Sequence, residues 1–321
     1  MARAHPIVLL LAGALLMSAA VARSADFSAK LDSRWDFAKP EVSEARFQEA
    51  LQQYAANSRE ALEIATQVAR AQGLQRRFDA AHATLDGVER ELERVDARVR
   101  IRYLLERGRV FNSAGAPARA VPLFREAADV ARRAGRDGDA FYEIDALHML
   151  GIAAPAAERL DWNQKALAAA EGAKDARARA WMGSLYHNVG WTWFERGEHG
   201  KALDHWEKAL HVREASGDAN RLRVARWTVA RGYRALGRLD DAERLQQALL
   251  DDHRKAGEED GYVYEELAEI AVARGDYAAA GPWAAKAYAL LRDDAWLAAT
   301  EPARLKRLAD LGAGKRPAKA K

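Results

Sequence analysis

The chain has 321 residues, 49% of them hydrophobic and 30% charged, with 50 basic side chains against 47 acidic ones. The formal charge of +3 is a tail effect: Lys315, Arg316, Lys319 and Lys321, together with Arg3, outweigh it, so the body is slightly acidic and does not read as a nucleic-acid surface. The absence of cysteine excludes disulfides, thiolate metal centres, a cysteine nucleophile and a cysteine-linked lipid anchor.

The chain opens with a leader. Arg3 precedes an apolar stretch, Ile7 to Ala22, that ends in the small-x-small step Ala20-Val21-Ala22. This is the form of a secretory signal peptide spanning 1–22, cleaved after Ala22. It implies a periplasmic or secreted protein; an uncleaved anchor is the alternative. The stretch is short for a span of about 20 residues, and no later segment is apolar enough to cross a bilayer. Residues 23–45, with Trp35 and Pro40, read as an irregular arm.

From 46 to 312 the chain reads as all-helical. Ala, Leu, Arg and Glu dominate, and only eight prolines occur. One block recurs at fixed offsets. Gly108 and Phe111 lead to Gly115, then Ala120, Phe124 and Ala127; Gly190 and Trp193 lead to Gly197, then Ala202, Trp206 and Ala209. Ala230 and Tyr233 lead to Gly237, Ala242, Gln246 and Leu249, and Ala268 and Ala271 lead to Gly275, Ala280, Ala284 and Ala287. Weaker copies hold Phe78, Ala81, Leu85 and Val88, and Trp162 with Ala166. The last small or apolar position falls at 88, 127, 166, 209, 249 and 287, a period near 40. Small residues let helices approach, the aromatics fill the space beside them, and the glycines reverse the chain.

These offsets resemble the tetratricopeptide repeat, most clearly at 101–134 and 183–216 and more weakly across 62–291. The resemblance implies a right-handed superhelix of about six helical hairpins, near 62–95, 101–134, 140–172, 183–216, 223–256 and 261–294. The units are longer than the usual 34 residues or so. In the third, Pro155 stands where a turn is expected, predicting a shortened first helix. A capping helix at 301–311 and a basic disordered tail at 313–321 complete the expected layout.

Catalytic patterns are missing. There is no HExxH, no Gly-x-Ser-x-Gly and no phosphate loop; Gly312-Ala313-Gly314-Lys315 lacks the leading spacing and the hydroxyl. His187, His199, His205 and His211 cluster in sequence, but a step of six residues puts His205 and His211 on different helix faces, so they read as surface groups rather than zinc ligands. No cofactor and no metal are expected.

The resemblance further implies that first-helix positions face a concave groove. In the middle units these are His187, Asn188, Trp191, Trp227, Arg231 and Arg234; in the 101–134 unit, Arg102, Arg109 and Asn112; in the last unit, Tyr262, Glu265 and Glu269. A groove basic and aromatic in its middle and acidic at one end suits an extended peptide of acidic and apolar character. Aromatic and Arg side chains are the usual anchors of binding energy. Trp191 and Trp227 could instead be buried between helices. The Lys/Asn carboxylate clamp of chaperone-binding members is not reproduced. The expected function is a non-catalytic scaffold that holds a protein or peptide of unknown identity, its own oligomeric state open. The alternatives are a structural or assembly subunit of an envelope or secretion complex and, more remotely, a metal-dependent or other enzyme.

Overall fold

The computed structural model describes residues 27–135 and 139–316, so the leader at 1–22 and tail residues 317–321 lie outside the described residues. Every regular element among the described residues is helical. After a helical stretch at 27–32 come α1 (Pro40–Leu51), α2 (Arg59–Leu74), α3 (Phe78–Glu89), α4 (Ala97–Ser113), α5 (Pro117–Ala134), α6 (Asp139–Ala153), α7 (Ala156–Gly172) and the short α8 (Ala176–Arg179). These form one compact unit, ending at Trp181. A second unit begins at Met182 and holds α9 (Met182–Glu195), α10 (His199–Ser216), α11 (Ala219–Ala235), α12 (Leu239–Ala256), α13 (Gly261–Ala273), α14 (Tyr277–Leu291), α15 (Ala295–Thr300) and α16 (Pro302–Gly312). Each unit contains three helical hairpins: α2/α3, α4/α5 and α6/α7 in the first, α9/α10, α11/α12 and α13/α14 in the second.

Short polar residues start many of these helices. The side chains of Ser58, Asp96, Asp175, Asp218, Asp260 and Asp276 accept backbone N–H groups at the starts of α2, α4, α8, α11, α13 and α14. Each such cap satisfies donors that the first turn leaves without partners. Within hairpins, glycine sets the approach. A Cβ placed on Gly108 would stand 2.5 Å from the Phe124 ring, and one on Gly190 2.4 Å from the Trp206 ring. Both rings are fully buried.

The third hairpin departs from this register. There Gly151 faces Asn163, only twelve residues on, against sixteen in the other two pairs. Four residues, about one helical turn, are missing. The corner Ala154-Pro155 replaces the glycine turn, with Ala154 N–H donating to the Leu150 carbonyl at 2.9 Å. Asn163, 3% exposed, therefore occupies the place of the aromatic ring. Trp162, which the sequence pattern offers for that role, lies half-buried and donates to Glu158 at 3.2 Å.

The other turns share one hydrogen-bond pattern. Gly115, Gly197, Gly237 and Gly275, with φ between 73° and 80°, each donate to the carbonyl three residues back, and the next residue donates to the carbonyl five back. Arg76 makes the same pair of bonds at φ 60°. It is a glycine position filled by arginine, which is why the first hairpin, α2/α3, lacks the glycine signal in its sequence. Arg76→Gly should raise stability by about 0.5–1 kcal/mol, because a side chain with Cβ is strained in the left-handed region. Urea unfolding checks this; a loss of stability would contradict it.

The ends also differ from expectation. Helix α1 starts at Pro40, inside the expected irregular arm, since proline suits a first helical turn. Residues 27–38 dock on the first unit. Leu31 is 2% exposed and packs with Phe47, Ile64 and Val68. At the other end, α16 closes the apolar face of the last hairpin through Leu305, Leu308 and Leu311. The start of the basic tail folds back. Lys315 pairs with Asp310 at 2.9 Å, and the Arg316 guanidinium lies 5.3 Å from the Tyr277 ring.

Candidate binding pocket in the second unit

The first helices of the second unit carry its aromatic and basic groups. On α11, Val224, Trp227, Arg231 and Arg234 recur every three or four residues and so share one helix face. Trp191 on α9, Tyr262 on α13 and Arg304 on α16 converge with Val224, Trp227 and Arg231 around a cavity of about 640 Å³. That volume lies within the range of small-ligand sites, about 300–1,000 Å³. Trp191, Trp227, Tyr262, Val224 and Val263 supply apolar wall; Arg223, Arg231, His253 and Arg304 supply basic or ring-nitrogen groups, and Asp260, Glu301 and Asn220 supply acids and an amide.

The two tryptophans line the pocket and are also fixed from behind. Trp191 packs edge-on against buried Trp206 with centroids 5.1 Å apart, and its Nε1–H donates to His187 Nε2 at 3.0 Å. Trp227 Nε1–H donates to the Tyr262 carbonyl at 3.0 Å. Each indole N–H is satisfied inside the unit, which leaves the rings as rigid pocket walls. The choice between groove and core is thus not exclusive: both rings are half-buried and do both.

Arg231 is the cation without a full partner. Its guanidinium lies 5.4–5.5 Å from the rings of Trp191, Phe194 and Trp227. Its closest carboxylate, Glu266, is 3.7 Å away. Glu266 is fully buried and already receives Nε–H and Nη2–H of Arg234. Two guanidinium groups therefore share one carboxylate, and Arg231 holds the weaker part of it. Burial pushes the Arg231 guanidinium below its ordinary pKa, with Glu266 opposing and Arg234 reinforcing the fall. Burial acts on Arg234 as well, but its hydrogen bond to Glu266 holds its pKa above the ordinary value.

The acidic end expected from Glu265 and Glu269 is neutralised. Arg304 grips Glu265 through two bonds of 2.6 Å, and Arg307 grips Glu269 at 2.7 and 2.8 Å. Both arginines come from α16, so the C-terminal helix caps the carboxylates as well as the apolar face. His253, 7% exposed, has Arg223 Nη1 at 3.1 Å from Nδ1 and Asp260 at 3.6 Å from Nε2. His253, Arg223, Asp260 and Arg304 were missed as site residues. The spacing of Glu265 and Glu269, four apart, against Arg304 and Arg307, three apart, is the one sequence signal that could have brought α16 into the site.

Of the sequence candidates, Trp191, Trp227 and Arg231 line the pocket. Arg234 is bound to Glu266, and His187 and Asn188 sit half-buried on α9 behind the wall. The other three lie in the first unit, and two of them are not open to a partner. Arg102, 3% exposed, binds Asp32 and Glu63, both at 2.9 Å. Arg109 binds Glu106 at 2.6 Å and also Asp145. The docked N-terminal segment and the neighbouring helices use these charges internally. Asn112 lies half-buried on α4. Among the described residues, no group of three or more His, Asp or Glu side chains is placed to hold a metal, and no helix is long and apolar enough to cross a membrane.

His187 couples the pocket wall to pH. Burial, with Arg213 adding to it, lowers its pKa from 6.5 to about 4. The unfolded chain therefore takes up the proton first. The stabilisation from the neutral ring is whole above about pH 6.5 and is lost as pH falls toward 4. His187→Gln should flatten the stability profile between pH 7 and 5, where this group accounts for roughly 1–2 kcal/mol in the parent chain. Urea midpoints at the two pH values test this; equal slopes in both proteins would contradict it.

Residues 183–216 match the family model of the tetratricopeptide repeat. The chain carries a tetratricopeptide repeat. Its fold is shared with solved tetratricopeptide-type structures. The Signal Transduction ATPase with Numerous Domains protein with a tetratricopeptide repeat sensor, from Pyrococcus horikoshii, aligns with TM-score 0.63 and 17% identity over 84% of this chain. The match covers 41% of that protein, so this chain spans less than half its length. The apo form of RapI aligns with TM-score 0.65 and 12% identity, over 91% of this chain and 81% of RapI. NprR in complex with its cognate peptide NprX aligns with TM-score 0.51 and 16% identity, over 89% of this chain and 83% of NprR. At such identities the likeness is one of fold. No curated protein sequence matches the chain.

Proposed function

We propose that this tetratricopeptide-type protein is a non-catalytic recognition scaffold whose second unit holds a peptide or protein segment in the pocket between α9, α11, α13 and α16. The observation that carries this reading is the pairing of three aromatic walls with a guanidinium that lacks a full partner: Trp191, Trp227 and Tyr262 around Arg231. An apolar or aromatic side chain fills the cavity, and a nearby carboxylate completes the hydrogen bonding of Arg231. The reading is supported by NprR, a protein of the same fold whose structure holds a bound peptide. Rigid aromatic walls favour binding because little side-chain freedom is left to lose. The signal-peptide pattern of residues 1–22 supports placing this activity in the periplasm or outside the cell.

Capture of partners from the native compartment tests the proposal. Parent chain and a Trp227→Ala/Arg231→Ala variant are immobilised side by side. The variant should lose the principal captured partners while keeping its helical circular dichroism. An unchanged set of partners on a folded variant would overturn the assignment.

A further inference from the structure

The first unit carries an occupant of its own. Residues 27–37 lie across α2 and α4 and reach Arg177 on α8. The helical stretch 27–32 places Ser28, Leu31 and Asp32 on one face. Ser28 Oγ–H donates to Glu63 at 2.5 Å. The Asp32 carboxylate receives Arg102 at 2.9 Å and also Arg177. Trp35 Nε1–H donates to Gln67 at 3.0 Å, and the Arg70 guanidinium lies 5.4 and 5.2 Å from the Trp35 and Phe37 rings. Leu31 fills the apolar floor with Ile64 and Val68.

The receiving face is built for an acid. Arg98 and Arg102 are buried, and Arg177 is partly so. The fully buried carboxylate of Glu63 is shared between Arg102 and Arg59. Asp32 adds a second carboxylate for Arg102 and one for Arg177. A short amphipathic helix laid on such a face uses the helix-in-groove mode of segment recognition.

We propose that the face formed by α2, α4 and α8 is a segment-binding surface whose resident ligand is the chain's own residues 27–37. Its code is a hydroxyl, an acid four residues on and a tryptophan three further, as in Ser28, Asp32 and Trp35. It therefore accepts an acidic segment that begins as a short helical stretch and carries a tryptophan just beyond it, and here the chain supplies that segment itself. This surface is separate from the pocket of the second unit and stands or falls independently of it.

The cysteine-free sequence makes the test simple. Ala29 is exposed, so Ala29→Cys carries a nitroxide label at one defined place. The label should be immobilised in the parent chain and mobile when Asp32→Arg sets a like charge against Arg102 and Arg177. A fluorescent peptide of residues 27–38 should then bind the Asp32→Arg chain saturably and the parent chain at least about tenfold more weakly, a difference of about 1.4 kcal/mol. The same peptide with Asn in place of Asp32 should lose about tenfold on the released chain. A label still immobile in Asp32→Arg would overturn the proposal. So would a mobile label with no peptide binding, or equal binding to both chains. If Asp32→Arg lowers helicity, Asp32→Asn gives the same readouts with less perturbation.

Discussion

Trp206→Ala should destabilise the second unit by about 3–5 kcal/mol, the cost of emptying a large, tightly enclosed aromatic site. Trp206 is fully buried. Its ring stands against Gly190 and Gly232, packs 5.1 Å from Trp191 and 5.3 Å from Phe194, and donates Nε1–H to the His187 carbonyl at 3.1 Å. The void would open directly behind the Trp191 wall, so pocket binding should weaken with stability. The partner change makes the argument specific. Gly190→Ala alone forces a methyl group against the indole and should cost about 1–3 kcal/mol. In the Trp206→Ala background the same methyl enters empty space, and its cost should vanish. Urea unfolding of the four proteins measures this coupling. A Trp206→Ala loss below about 1 kcal/mol, or additive effects, would contradict the packing described.

The second large effect concerns the shared carboxylate. Glu266→Gln should cost about 3–5 kcal/mol, because it leaves two partly buried guanidinium groups facing each other without their counter-ion. Arg231 and Arg234 have side chains 24% and 20% exposed, so solvent relieves only part of the repulsion. The same change should improve binding of an acidic peptide by about tenfold, since Arg231 loses its nearest competing acid. Loss of stability together with gain of anion affinity is a signature that a purely structural glutamate would not give. Chemical unfolding and peptide titration read the two effects separately.

What the sequence made legible follows distance along the chain. The pairs Gly108 with Phe124 and Gly190 with Trp206 are set by one turn and two helices, so fixed offsets report them. The same logic misassigned Trp162, because a deletion of one helical turn at Pro155 shifts the register to Asn163. Positive φ at Arg76 was hidden by the residue type. Trp191, Trp227 and Arg231 were reached through the tetratricopeptide resemblance, which assigns their first-helix positions to one exposed face, and they line the pocket. Arg102 and Arg109 satisfied the same geometry yet proved internally paired. Their partners include Asp32, seventy residues before Arg102, and Asp145 on the next hairpin. No local spacing encodes such contacts. The contribution of α16 was missed for the same reason: Arg304 meets Glu265 across 39 residues.

Recognition of a carboxylate by Arg231 beside aromatic walls is tested most directly by a double-mutant cycle. A peptide selected from a random library on the immobilised chain is titrated with its carboxylates intact and with the contacting one replaced by an amide. Each form is measured against the parent chain and Arg231→Met. The account predicts a coupling energy of about 1 kcal/mol or more between the two changes. Effects that add within about 0.3 kcal/mol would contradict it.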